Sequence, residues 1–228
     1  MSQQPSKQRH LITVTNPRSP VSEAFRALRT NIDFSSVDEQ IQIIMVTSSG
    51  PEEGKSTVTA NLAAAYAQAD KKVLLIDGDL RKPTAHKTFS LSNRLGLSSL
   101  LSQQAALEDV IQESGVNNLT IMTSGPIPPN PAEMMASNRM SSVLQELRLR
   151  YDVILFDTPP LLAVTDAQLI ASKSDGVIMV VSYGKVKRDI AAKAKANLDR
   201  VGAKMLGVVL NNVKRKASEG YYYYYYGN

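Results

Sequence analysis

The sequence predicts an α/β fold with a mostly parallel central sheet and helices on both of its faces. Six short apolar runs, at residues 41–47, 72–76, 119–123, 153–156, 176–181 and 204–210, alternate with helix-like stretches, the order of repeated strand–helix units. Each run is rich in Val, Ile, Leu and Met without polar alternation, as strands covered on both faces require. The first run also passes directly into a loop of small residues and then a helical pattern.

The elements follow in chain order. Residues 1–17 read as an N-terminal segment. Val21, Ala24, Phe25, Leu28 and Ile32 then fall within about 100° of arc on a helical wheel, with Glu23, Arg26 and Arg29 opposite, so an amphipathic helix is expected within residues 18–37. Helices are expected over 55–69, roughly 98–113, 131–150, 166–172 and 187–201. The one at 131 is announced by Asn130-Pro131 with Glu133 behind them, an N-cap followed by proline at the first helical position. After Asn212 the chain turns into KRKASEG and six tyrosines without periodicity, so residues 214–228 are expected to be a flexible, disordered tail on a domain spanning 18–213.

A length of 228 residues suits one such domain and excludes a large multidomain machine. With no cysteine there is no disulfide framework, thiol nucleophile or zinc–cysteine cluster. The N-terminus lacks the about 7–15 apolar residues of a signal-peptide core, and no run approaches the roughly 18 that span a bilayer. The expectation is a soluble chain that reaches a membrane only when something carries it there. Charge and aromatic residues are unevenly spread. Between Lys185 and Lys216 ten Lys/Arg face only Asp189 and Asp199, so the net charge of +5 is concentrated there. Six of the nine tyrosines are consecutive, Tyr221 to Tyr226.

Three motifs carry chemistry. The first is the loop Ser48-Ser49-Gly50-Pro51-Glu52-Glu53-Gly54-Lys55-Ser56-Thr57, a phosphate-binding loop with serine at the first glycine position of GxxxxGK[ST]. Its small residues let backbone N–H groups and a helix N-terminus surround phosphates, Lys55 supplies a cation to the β/γ oxygens, and Ser56 can ligate Mg2+. The run Val153-Ile154-Leu155-Phe156-Asp157 ends in a carboxylate placed to act on Mg2+, directly or through water. The third, Val73-Leu74-Leu75-Ile76-Asp77-Gly78-Asp79-Leu80-Arg81-Lys82-Pro83, sets two acids two residues apart just past a strand, beside Arg81 and Lys82. Paired acids there can hold metal-bound water and accept a proton.

Together, SSGPEEGKST, VLLIDGDLRKP, VILFDTPP, TSGPIPPNPAE, the ExxRxxR of Glu23, Arg26 and Arg29, and the terminal tyrosines resemble the bacterial tyrosine kinases of capsule and exopolysaccharide operons. The form resembled is the separate-chain one of Firmicutes, and the likeness runs from about residue 18 to 228. It implies a P-loop NTPase fold with ATP and Mg2+ as cofactors. ATP binding then falls on Ser49, Gly50, Glu53, Gly54, Lys55, Ser56 and Thr57, with Asn211 an adenine contact. Lys55, Asp77, Asp79 and Asp157 are the catalytic set, with Asp79 favoured as base, although the roles of the three acids could be permuted. Ser56, Asp77 and Asp157 are the metal or metal-water set. Glu23, Arg26 and Arg29 imply a homo-oligomeric ring, and Tyr221, Tyr222, Tyr223, Tyr224, Tyr225 and Tyr226 the phosphoacceptors, modified by a neighbouring subunit. The implied partners are a membrane-anchored activator with a cytoplasmic C-terminal segment, a cognate protein-tyrosine phosphatase and protein substrates of polysaccharide synthesis. The implied location is cytoplasmic, at the inner face of the cell membrane.

Two other readings share the motifs. A positioning ATPase of the chromosome-partitioning or division-site type carries a lysine five residues before the phosphate-loop lysine, where this chain has Gly50. A nucleotide-dependent scaffold subunit of a polysaccharide assembly complex would keep the binding loop without the transfer. The basic stretch lacks interleaved aromatics or a reading-head motif, so no nucleic-acid partner is expected.

Overall fold

The computed structural model describes residues 11–35 and 40–213. A short helix, α1 (Ile12–Thr15), precedes α2 (Pro20–Asp33). Ser19 caps α2 by accepting the Ser22 amide at 3.1 Å, and Pro20 stands in its first turn. The first strand, β1 (Ile43–Ser48), leads through the loop at 49–54 into α3 (Lys55–Ala67), then β2 (Val73–Asp77). Next come α4 (Ala85–Thr88), α5 (Leu97–Leu101), α6 (Leu107–Val110), β3 (Ile111–Glu113) and β4 (Leu119–Met122). Helices α7 (Pro131–Ala136) and α8 (Asn138–Arg148) lead to β5 (Val153–Asp157), α9 (Asp166–Ala171) to β6 (Gly176–Ser182), and α10 (Arg188–Arg200) to β7 (Met205–Asn211).

The seven strands order as β3-β4-β2-β5-β1-β6-β7, every pair parallel except β3 with β4. Successive residues of a strand point to opposite faces, and here both faces are covered. Ile43 and Met45 of β1 pack with Leu97, Leu147, Ile170 and Leu198 on one side. Ile44 and Val46 pack with Ile32, Leu62 and Tyr66 on the other. Each fully buried side chain of this size contributes about 1.5–3 kcal/mol, an upper estimate because unfolded chains already bury some surface. The predicted fold class therefore stands: a mostly parallel sheet with helices on both faces.

Helix α3 is buried almost all round, because α1 and α2 cover the side that the sheet does not. Its alanine-rich NLAAAYA stretch permits close approach. The one amide in it, Asn61, is matched: Oδ1 accepts from the Thr13 amide and hydroxyl, both at 3.1 Å, and Nδ2 donates to Thr57 O.

Local structure departs from expectation in three places. The stretch 98–113 is not one helix: Gln103 adopts φ 60, α5 ends, and residues 111–113 become an antiparallel strand against Met122 to Thr120. That strand covers the outer edge of β4, which would otherwise expose unpaired backbone. The helix expected over 131–150 is interrupted at Ser137, whose extended backbone and side chain cap α8 by accepting the Met140 amide at 3.1 Å. Asn130 does precede α7, but its Nδ2 donates to Glu133 Oε2 at 2.8 Å and does not cap the helix. On α2, Val21 and Ala24 are exposed. Ser22 is buried in their stead, donating its hydroxyl to the carbonyls of Ile12 and Asn16 where α1 docks.

Candidate active site

The loop from β1 to α3 is shaped by one glycine. Gly54 sits at φ 92, in the left-handed region, and a Cβ there would lie 2.0 Å from Asn211 Nδ2. Asn211, at the end of β7, uses that closeness to donate to the Glu53 carbonyl at 2.9 Å. The Glu53 side chain is buried and turns toward β6: Oε1 accepts from the Ser49 hydroxyl and the Gly50 amide, Oε2 from the Ser182 amide at 3.3 Å. An acid inside an anion-binding loop is thereby satisfied by donors that belong to the loop's outer side. Glu52 stays exposed with φ 60.

Lys55 opens α3 and is buried, with Nζ 3.2 Å from Asp157 Oδ1, 3.4 Å from Asp79 Oδ2 and 3.2 Å from Ser56 Oγ. Burial works to lower its pKa, but the carboxylates of Asp157 and Asp79 outweigh it and hold the ammonium above its ordinary value. Asp77 and Asp157 face each other in register at the ends of β2 and β5. Asp77 is fully buried; its Oδ2 accepts from the amides of Thr84 and Ala85, each at 2.8 Å, and its Oδ1 from Asp79 N at 3.3 Å. Burial first, then the Asp157 charge, pushes its carboxyl up to about 7 against the pull of the two short amide bonds and Lys55. Gly78 between the acids donates to Asp157 O at 2.8 Å, and a Cβ there would meet that oxygen at 3.2 Å.

The fold thus brings Ser49, Gly50, Glu53, Gly54, Lys55, Ser56, Asp77, Asp79, Asp157 and Asn211 to one end of the sheet. Thr57 is exposed on the first turn of α3. Glu23, Arg26 and Arg29 lie elsewhere, on α2: Glu23 pairs with Arg26 at 2.6 Å, and Arg29 donates to the Ala65 carbonyl at 3.0 Å. Tyr221 to Tyr226 lie outside the described residues. Arg81, which the sequence sets beside the acids, instead makes a two-pronged bond to buried Asp166 at 2.8 and 3.1 Å, tying the β2–α4 loop to α9. Nothing local in the sequence marks Asp166, Ser182 or Thr84, since their partners stand far away in the chain or in turns. Thr84 Oγ1 is buried without a hydrogen-bond partner among the described residues and lines a narrow recess with Ser56 and Asp157.

Residues 41–189 match a family model described as an AAA domain. The tyrosine-protein kinase YwqD of Bacillus subtilis is 49% identical over 91% of this chain and 87% of its own length. The chain belongs to the bacterial tyrosine kinase family. The putative tyrosine-protein kinase CapB of Staphylococcus aureus is 42% identical over 90% of each chain. Among solved structures, the chimerical protein CapA2B2 superposes with a TM-score of 0.88 at 45% identity, covering 90% of each chain. The septum site-determining protein MinD of Pyrococcus horikoshii, solved with Mg-ADP, is more distant: TM-score 0.66 at 28% identity over 77% of this chain and 72% of that one. The bacterial tyrosine kinases and the MinD-type ATPases therefore share a P-loop fold, and this chain lies nearer the kinases. Among the described residues no helix is long and apolar enough to cross a membrane.

Proposed function

We propose that this chain is an ATP-dependent protein-tyrosine kinase that phosphorylates its own Tyr221 to Tyr226 segment between subunits and regulates capsular or exopolysaccharide synthesis and export. The observation that carries the reading is the buried cation Lys55 set between Asp79 and Asp157 at the mouth of a phosphate loop. A tyrosine phenol has a pKa near 10, so it must lose its proton as its oxygen bonds to the γ-phosphorus. The bond from that phosphorus to the β–γ bridging oxygen breaks, and ADP leaves with the electron pair. Asp79 takes the phenolic proton. It suits that role better than Asp77. Two backbone amides hold Asp77 Oδ2 and a third reaches its Oδ1, whereas Asp79 accepts one amide, from Lys82 on Oδ1 at 2.9 Å. Asp79 Oδ2 faces Lys55 at 3.4 Å, a contact given up when Lys55 turns to the phosphates. Lys55 turns from the acids to the phosphate oxygens and stabilises charge there, the dominant contribution in phosphoryl transfer.

The donor set fits a magnesium ion. Magnesium keeps several waters and takes only one or two carboxylates beside substrate phosphates; Ser56 and Asp157, with unpartnered Thr84 Oγ1 in the same recess, offer that sparse oxygen environment. Ser56, Asp77 and Asp157 would hold it, directly or through water, and it would supply charge neutralisation to the transferred phosphate.

The remaining assignments complete the proposal. Glu23, Arg26 and Arg29 on α2 contact the next subunit of a ring, and Asn211 contacts adenine. A membrane-anchored activator brings the chain to the inner face of the membrane, and a phosphatase resets the tail. Incubation with ATP and Mg2+, with and without the cytoplasmic segment of a candidate membrane activator, followed by phosphotyrosine blotting, tests the reading. The expected result is self-labelling that Tyr221–Tyr226→Phe abolishes while labelling of other substrates persists. ATP turnover without phosphotyrosine would favour the positioning ATPase, to which the fold is also related.

A further inference from the structure

Across the phosphate loop from Lys55 lies a second concavity, a cleft of about 490 Å3 between the loop's outer wall and the β6–α10 connection. Its lining shares Ser49, Gly50 and Glu53 with the phosphate loop but includes none of Lys55, Ser56, Asp79 or Asp157. Pro51, Val186 and Ile190 give it apolar wall, and Lys185 and Lys187 give it charge. The side chains of both lysines are exposed and pair with nothing among the described residues. Two acids share the lining, but the Glu53 charge is consumed by three donors, which leaves exposed Glu52 as the single opposing carboxylate.

An apolar wall with unspent cations beside it suits an aromatic ring that carries an anion. The chain's own terminus supplies that chemistry. The end of β7 is fastened to the cleft's wall: Asn212 Nδ2 donates to Ser182 Oγ at 3.0 Å, and the Tyr183 amide donates to Asn211 O at 2.8 Å. Tyr221 follows Val213 by eight residues, which an extended chain carries at most about 28 Å. Each phosphotyrosine brings about −1.5 to −2 charges and three acceptor oxygens. We propose that this cleft is a product subsite, which holds a phosphotyrosine of the Tyr221–Tyr226 segment through Lys185 and Lys187 with its ring against Pro51, Val186 and Ile190. A tyrosine already modified would then be held beside the phosphate loop while its unmodified neighbours remain free to react. The inference rests on the kinase reading for the source of the phosphotyrosine, but the binding step does not require transfer.

The test is a titration without ATP. Full-length protein with Tyr221–Tyr226→Phe is titrated against fluorescent peptides of residues 218–228, one with phosphotyrosine at Tyr224 and one without. The phosphopeptide is expected to bind about tenfold tighter than its twin, the scale of one charge-assisted hydrogen bond. Lys185→Gln with Lys187→Gln should erase that difference and leave the melting temperature and the affinity for a fluorescent ATP analogue unchanged, and Glu52→Gln should widen it. Equal binding of the two peptides, or a preference that survives in the double variant, would overturn the proposal. So would a double variant that loses the ATP analogue, which would make the cleft part of the nucleotide site. So would one that keeps the phosphopeptide but no longer sediments with phosphatidylglycerol vesicles, which would make the lysines a membrane contact. Because no turnover enters the titration, a chain that fails to transfer phosphate can still pass it, and an active kinase can still fail it.

Discussion

Asp77 and Asp157 are register partners on adjacent parallel strands, and the peptide after Asp77 is hydrogen-bonded to the carbonyl of Asp157. Two carboxylates more than seventy residues apart in sequence are thereby set at one height beneath Lys55. Burial, and after it the Asp157 charge, raises the Asp77 carboxyl, and Lys55 opposes the rise.

Lys55→Met keeps the length and apolar stem of the side chain and removes the charge. Phosphotyrosine formation should fall at least about 10²–10³-fold, the cost of losing one preorganised electrostatic contact. Lys55 is also one of the groups that hold the buried Asp77 carboxyl down, so without it that carboxyl rises further. A carboxyl raised on folding adds native stability as pH falls, and the nucleotide-free variant should gain thermal stability relative to the parent as pH is lowered. Radiolabel incorporation and melting curves at several pH values check both parts.

Gly54→Ala meets two penalties that a double-mutant cycle separates. The added Cβ would lie 2.0 Å from Asn211 Nδ2, and its backbone would remain at φ 92. Alanine alone should cost about 2–3 kcal/mol in urea unfolding and weaken ATP binding, from steric overlap plus backbone strain. Asn211→Ala relieves the overlap but not the strain, so the double variant should recover only part of the loss. Full recovery would mean that the left-handed conformation is not needed.

Most of the sheet was legible because strands buried on both faces are written as unbroken apolar runs, and the loop SSGPEEGKST marks its own junction of strand and helix. What was not legible depends on distant partners. Residues 111–113 become a strand because β4 offers them an open edge, and nothing in Ile-Gln-Glu announces that. Arg81 leaves the acids it follows because Asp166 lies buried within reach. Val21 and Ala24 satisfy a helical wheel yet face outward, since α1 claims the position of Ser22. At the site, residue types and spacing identified the charged groups, but not that Asp77 is bound by backbone amides or that Glu53 turns toward β6.

The ExxRxxR residues divide into two kinds. Arg26 is partly exposed beside Glu23 and also donates to the Pro17 carbonyl, whereas Arg29 reaches across to the Ala65 carbonyl and joins α2 to α3. Arg26→Glu is therefore expected to shift native mass spectra from ring to monomer while changing monomer stability by less than about 1 kcal/mol, as exposed pairs generally do. Arg29→Glu should disturb both, costing about 1–2 kcal/mol through a lost charged hydrogen bond. A ring that persists in Arg26→Glu would remove that residue from the contact.

Asp175 gives a prediction about pH far from the reacting groups. It joins three elements: Oδ2 accepts from the amides of Gln42 and Ile43 at 3.0 and 2.8 Å, and Arg148 pairs with both oxygens, at 2.9 and 2.5 Å. Partial burial opposes the charged form, but the Arg148 bond and the two amides prevail and hold the carboxyl below its ordinary 3.8. A carboxyl depressed on folding stabilises the native state above its unfolded pKa, and that stability is lost as pH falls through the folded value. Asp175→Asn keeps one oxygen for the amides and loses the charge. Since solvent reaches the pair and screens it, the expected cost at pH 7 is about 1–2 kcal/mol. Urea midpoints of parent and variant should differ most at neutral pH and converge as pH falls below the ordinary 3.8. A gap that stays constant across that range would mean that Asp175 acts through its shape and hydrogen bonds alone.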